Sequence, residues 1–331
     1  MILRPGLVAV LAAAAIWSGA GHAQKSRVEL IQERGVLICG VSRQAPGFSF
    51  LEEGEVVGFD ADLCRALAAW LEVEADFNFL TSENRVPAVL AGAVDIVIRG
   101  APETTAAGFE VEFGPVVFHD GQRLLVRAGS GIGGLADLAG KLICVPRGGA
   151  AEAGLMKALR DRRIRAAVLS FEEPVQAFIA LMAGRCAALS AESSQLGALR
   201  SLAPDPAGLV VTGESLRTVA LAPLYRSGDP EWARVVHWTI SGLILAEELG
   251  VTGADAREPD RLAATAAGDE ALQSLSEAGN GAMLRVLARV GNYGEVYERW
   301  FGPGAATPIP REGTPNALTR DGGAMTSGPL R

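Results

Sequence analysis

Histidine is almost missing from this 331-residue chain, with three in all. Only His119 and His237 lie beyond residue 23, too few for a histidine metal site. Both read as structural, His119 in a turn before a strand and His237 beside Trp238 on an amphipathic helix. Basic runs are also missing: 38 Asp and Glu outweigh 30 Lys and Arg, a net charge of −8. That sign argues against nucleic acid and against anionic membrane surfaces as partners. There is no Walker sequence, no HExxH and no GxSxG, so the common nucleotide and hydrolase signals fail and no cofactor is expected. One G-x-G-x-x-G occurs at Gly129, Gly131 and Gly134, but it leads into the short Leu135–Gly140 segment rather than a crossover helix. No ribose-binding acid follows at the required distance, and the segment reads as a hinge loop.

Past the N-terminus, no stretch approaches the roughly 18 consecutive apolar residues of a membrane span. The N-terminus itself has the three parts of a signal peptide. Arg4 supplies the positive charge, Leu7–Trp17 the apolar region, and Gly21-His22-Ala23 the small residues of a cleavage site. Residues 1–23 are therefore expected to be removed, and no cysteine stands near the cut to carry a lipid anchor. The expected product is a free periplasmic protein of net charge −9, since the leader carries Arg4 and no acid.

Cysteine is limited to four, an even number suited to two disulfides in an oxidising compartment. Three pairings are possible, and four free buried thiols are the alternative. Cys39–Cys64 with Cys144–Cys186 is preferred, because each bridge then stays within one predicted lobe. A bridge across lobes would restrict their opening. Each such loop adds about 3–4 kcal/mol in the chain-entropy account.

Short β-rich runs alternate with helical patterns, the mark of an α/β protein. Strands are expected at 35–41, 94–98 and 122–127, with helices at 60–71 and 86–91 and Asp60 as the cap of the first. The scheme repeats with strands at 142–145, 166–170 and 186–190 and helices at 151–162 and 174–183. A return strand at 219–224 and a long helix from Pro230 to Leu249 follow. The fold expected is two α/β lobes with two hinge crossings and a cleft between them. Lobe 1 takes residues 24–126 and returns over 218–300, lobe 2 takes 127–217, and 301–331 is an extended tail.

In open α/β sheets ligands lie beyond the carboxyl ends of the strands. Arg99 and Gly100 end one such strand, and Glu192 follows another. A zwitterion needs a cation for its carboxylate and an anion for its ammonium, which Arg99 and Glu192 can supply from opposite walls. Arg147 and Gly149 stand between a strand and a helix, where backbone amides suit a carboxylate. Taken singly, each of these is also an ordinary surface charge or turn.

Several segments together resemble family 3 periplasmic solute-binding proteins, nearest the general L-amino-acid-binding branch. They are Cys39-Gly40-Val41, Pro46-Gly47-Phe48, Gly58–Arg65 and Gly184-Arg185-Cys186. Trp238-Thr239, Ala246–Gly250, Val290–Glu295 and Asn316–Met325 extend the likeness over nearly the whole chain. The resemblance implies a type II binding-protein fold with no chemistry, and closure around an amino-acid-like ligand. It also implies a monomer that delivers its ligand to an ABC permease in the inner membrane. By that resemblance the ammonium-binding acid is Glu192, longer than the usual aspartate. The carboxylate-binding arginine falls at Ala107, and the assisting threonine at Gly149-Ala150. Neither has the required group, which leaves Arg99 or Arg147 to substitute. Two other functions use the same scaffold: a sensor or partner protein without an importer, and a periplasmic dehydratase of the cyclohexadienyl type with Glu192 as acid.

Overall fold

The computed structural model describes residues 25–43, 45–100, 109–147, 150–258 and 270–328. Helix α1 (Arg27–Arg34) starts at a capping box in which Ser26 and Glu29 satisfy each other's amides. Strand β1 (Val36–Val41) follows, then a hairpin of β2 (Phe50–Glu52) and β3 (Glu55–Val57). Next come α2 (Phe59–Leu71), β4 (Glu74–Phe79), α3 (Arg85–Leu90) and β5 (Ile96–Gly100). β1 lies parallel to β4 on one side and to β5 on the other. β5 starts two residues later than the sequence pattern suggests. Asp95 is held outside the strand, where its buried carboxylate accepts from the Ile38 amide at 2.8 Å.

Two long strands then join the halves. They are β7 (Phe118–Arg127), reached through β6 (Val111–Phe113), and β12 (Arg217–Arg226). Between them run β8 (Leu142–Pro146), α4 (Ala150–Asp161), β9 (Ala167–Phe171) and α5 (Pro174–Met182). β10 (Ala188–Glu192), α6 (Ser193–Ser201) and β11 (Leu209–Val211) complete the second half. β8 is parallel to β9 and β10, which repeats the arrangement of the first half.

The crossing itself is a two-stranded antiparallel ribbon, Phe118–Gln122 of β7 against Leu221–Arg217 of β12. Beyond it β7 pairs with β10 and β11, whereas β12 pairs with β5 and β6. One sheet path therefore runs through both lobes, β4-β1-β5-β12-β7-β10-β8-β9. His119 lies within this ribbon and not in a turn. The glycines at 129, 131 and 134 are not the hinge. They follow the far end of β7, and Gly129 and Gly131 take the left-handed backbone of ordinary turns.

Helix α7 (Pro230–Glu248) carries the chain back to lobe 1. It is followed by α8 (Gly253–Ala256), α9 (Glu270–Glu277), α10 (Ala282–Val290) and α11 (Tyr293–Phe301). Trp232, Ile240, Met283, Tyr293 and Phe301 from these helices pack with Ile31, Phe59 and Leu63 in one core. Lobe 2 has two smaller cores, on either face of its sheet. Both disulfides form as the sequence predicts: Cys39–Cys64 ties β1 to α2, and Cys144–Cys186 ties β8 to the approach of β10. No helix among the described residues is long and apolar enough to cross a membrane.

Past α11 the chain has almost no regular structure, but it is firmly attached. Arg311 donates to both oxygens of Glu247, at 2.6 and 3.0 Å, and stands over the rings of Tyr293 and Tyr297. Asn316 exchanges two hydrogen bonds with the backbone of His119, at 2.7 and 2.8 Å. Thr307, almost fully buried, packs on Gly197 of α6. The tail thus touches lobe 1, the crossing ribbon and lobe 2.

At the head of α2 the cap is Gly58, not Asp60. The amides of Phe59 and Asp60 are satisfied by the carbonyls of Gly47 and Phe48, at 2.9 and 2.8 Å. Gly58 has φ +124°, and a Cβ there would stand 2.2 Å from the Phe48 carbonyl oxygen. Gly58→Ala is therefore expected to lower stability by about 2 kcal/mol or more. Urea unfolding measures this, and a loss under about 0.5 kcal/mol contradicts the packing described.

Candidate ligand-binding cleft

A cavity of about 310 Å³ opens between the lobes at the ribbon. Lobe 1 contributes Phe48, Arg85 and Arg99, with Ala45 and Pro46 from the loop after β1. Lobe 2 contributes Glu192 and Ser194, and the crossing ribbon contributes Asp120 and Arg217. Arg99 is the last residue but one of β5 and Glu192 ends β10, so the carboxyl ends of these strands face the cavity as the α/β rule requires. Val219 and Leu221 of the ribbon form its floor.

Arg99 is held from two directions. Its Nε donates to both carboxylate oxygens of Asp60 at 3.2 Å, and its guanidinium stacks 3.9 Å above the Phe48 ring. Asp60 is 2% exposed and sits in the first turn of α2, where the helix amides favour negative charge. Phe48 is itself wedged against Phe118 and Phe301, with centroids 4.9 and 4.6 Å away. Among the described residues, the hydrogen bonds of Arg99 all run through Nε, so the terminal amino groups remain for a bound anion. Arg85 steadies the same corner, donating to the Arg99 carbonyl and to Ser42 Oγ at 3.2 Å.

Across the cavity, Glu192 accepts from Arg217 Nη2 at 2.6 Å. Asp120 is buried and accepts from Ser193 Oγ at 2.8 Å, from Ser194 Oγ, and from the Gly121 and Ser194 amides. It joins the ribbon to the start of α6 and has little capacity left for a ligand. Among the described residues, three arginines and two carboxylates line the space, and Asp60 stands behind Arg99.

The family model for bacterial extracellular solute-binding proteins, family 3, matches residues 37–303. The chain belongs to that family. It is 31% identical to the general L-amino acid-binding periplasmic protein AapJ of Rhizobium johnstonii, over 98% of both chains. It is 30% identical to the glutamate/glutamine/aspartate/asparagine-binding protein BztA of Rhodobacter capsulatus, over 94% of this chain and 95% of that one. A solved periplasmic binding protein from Brucella ovis with glutathione bound superposes with a TM-score of 0.78. It is 28% identical, over 93% of this chain and all of that one.

In this solute-binding protein the sequence-predicted pair, Arg99 and Glu192, does line one cavity. Gly100 closes β5 beside it and pairs with Ala222. Arg147 does not join them. It is 58% exposed in its side chain, pairs with Glu172 at 2.7 Å, and is not among the residues lining the cavity. Its strand ends at the cleft side, but the side chain leans along the surface toward the neighbouring β9–α5 turn. Gly149 and the position of Ala107 lie outside the described residues. Sequence reasoning missed Arg85, Arg217 and Asp120, and took Asp60 for a helix cap. Phe48 stands within the Pro46-Gly47-Phe48 segment, although nothing local marks it as the platform for an arginine.

Burial of the Arg99–Asp60 pair makes it costly to break. Asp60→Ala leaves a guanidinium 14% exposed without its carboxylate and is expected to cost about 3 kcal/mol in urea unfolding. An unchanged midpoint would contradict this. Half-burial holds the His119 imidazole below its usual value near 6.5. Protonation therefore favours the unfolded chain, so this contribution is complete above about pH 6.5 and is lost as pH falls below it. Stability curves of wild type and His119→Gln should diverge below that pH, with the variant losing less; parallel curves would refute the assignment.

Proposed function

We propose that the protein captures an amino-acid-like zwitterion between its lobes and delivers it to an inner-membrane ABC permease. Arg99 takes the carboxylate and Glu192 the ammonium. The observation that carries this is the cavity itself, with a braced cation from lobe 1 and an acid from lobe 2. Charges of both signs line the cavity, which suits a solute that itself carries both. The amino-acid-binding relatives, similar over nearly their whole length, favour the same class. The glutathione found in the Brucella ovis protein favours a second reading, a small peptide with an amino-acid end.

Export by the leader 1–23, action as a monomer and the lack of any chemical step belong to the same proposal. So does the division into lobe 1, lobe 2 and return segment. An enzymatic role would show as turnover of prephenate or arogenate that Glu192→Gln abolishes.

The decisive measurement is calorimetry and thermal shift against L-amino acids, their deaminated analogues and glutathione. A ligand at 100 times its Kd raises stability by about 2.7 kcal/mol. Arg99→Gln should weaken binding at least about tenfold, as expected for a charged hydrogen bond of about 1.5–3 kcal/mol. Glu192→Gln should remove the preference for an amino acid over its deaminated analogue. A flat response across the panel, or a preference untouched by Glu192→Gln, refutes the assignment.

A further inference from the structure

A second cavity, of about 790 Å³, lies behind the crossing ribbon. Its position follows from strand alternation, since neighbouring residues point to opposite faces. Arg217, Val219 and Leu221 line the front cleft, whereas Thr218 lines the rear. On the partner strand His119, Gly121 and Arg123 face the rear, and Asp120 touches both spaces. One rear wall is α6 and β11 of lobe 2, and the other is the tail from Ala305 to Asn316. That tail is fastened to lobe 1 by Arg311 on Glu247 of α7, and it touches lobe 2 where Thr307 packs on Gly197 of α6.

Arg123 of β7 and Arg200 of α6 both line this space. Arg123 Nη1 donates to the Thr212 carbonyl at 3.3 Å, but its buried Nε has no acceptor among the described residues. A buried donor left without an acceptor is unfavourable. Arg200 donates through Nε to the Pro206 carbonyl at 2.9 Å, at an exposed position. Of the acids lining the cavity, Asp120 is engaged by Ser193, Ser194 and Gly121, and Glu312 is on the exposed side of the tail. The cavity is therefore lined by two guanidiniums, and the one buried carboxylate among the described lining residues, Asp120, is already taken up by hydroxyl and amide donors.

We propose that the rear cavity is a second binding site, for a small carboxylate or inorganic oxyanion, and that filling it favours closure of the front cleft. The coupling is geometric and rests on the two-lobed closure described above. The two cavities lie on opposite faces of one ribbon, so bringing the lobes together in front parts the walls behind. An occupant that holds the rear walls apart stabilises the closed front, and by reciprocity a front ligand strengthens rear binding.

The test places a fluorophore pair on the exposed Glu55 of lobe 1 and Glu173 of lobe 2 and reads inter-lobe distance by energy transfer. Citrate and sulfate are titrated separately at constant ionic strength, with no front ligand present. The expected result is a saturable shortening with one of them, which identifies the carboxylate or the oxyanion as preferred. Arg123→Gln and the surface variant Arg200→Gln should each weaken it at least about tenfold, while Arg99→Gln leaves it intact. No saturable response, or one that survives both rear variants, overturns the site. Loss in Arg99→Gln alone places the anion in the front cleft and also overturns it, and a lengthening overturns the coupling. Because the readout uses no amino acid, failure of the ligand panel leaves this result independent.

Discussion

The structure depends on one short ladder of backbone hydrogen bonds, Phe118–Gln122 against Leu221–Arg217. It is the route by which a single sheet path passes from one lobe to the other. Because the ladder is made of main chain, it fixes register without regard to side-chain identity, and alternation then assigns each side chain to the front or rear. The same five-residue stretch of β12 thus supplies Arg217 to the cleft and Val219 and Leu221 to its floor. A shift of register by one residue would exchange the two faces. The Asn316 clamp on the His119 backbone adds a side-chain lock to the strand.

The cleft is built before any ligand arrives. Arg99 is oriented by Asp60 and by the Phe48 ring, and both supports belong to the lobe 1 core or its edge. Little side-chain freedom remains to be lost on binding at that wall, which leaves more of the contact energy as affinity. The opposite wall is organised by Asp120, whose carboxylate gathers Ser193 and Ser194 at the head of α6. Glu192, immediately before that helix, inherits its position from the gathering. Placement of the acid is therefore a property of the ribbon as much as of β10.

Much of this was legible in the sequence, for reasons that differ from element to element. Leu63, Leu67 and Leu71 have helical spacing, and the apolar runs Val36–Val41 and Leu142–Val145 are short and bounded, so local pattern sufficed there. The cysteine pairing followed from keeping each bridge inside one lobe. Arg99 and Glu192 were found by asking what stands at strand ends. Asp60 was misread because an acid at a helix start has two uses, and its partner is 39 residues away. Arg85 and Arg217 carry no local mark at all. Arg217 meets Glu192 only after β12 has been laid beside β7, a pairing with no trace in either segment alone. Arg147 failed for the converse reason: a suitable neighbourhood in sequence did not fix the direction of a long side chain.

The core of lobe 1 draws on Ile31 near one end of the chain and on Leu318 and Met325 near the other. All of lobe 2 lies between them. The order of assembly is constrained accordingly, since contacts this distant carry the largest loop-closure cost. Lobe 2 can complete its sheet from one continuous stretch as soon as β12 is present. Lobe 1 must wait for Leu318 and Met325, holding Phe59, Leu63 and Phe118 without these partners until then. For a chain delivered from its N-terminus, that interval is when apolar surface is exposed, and the short tail is what brings it to an end.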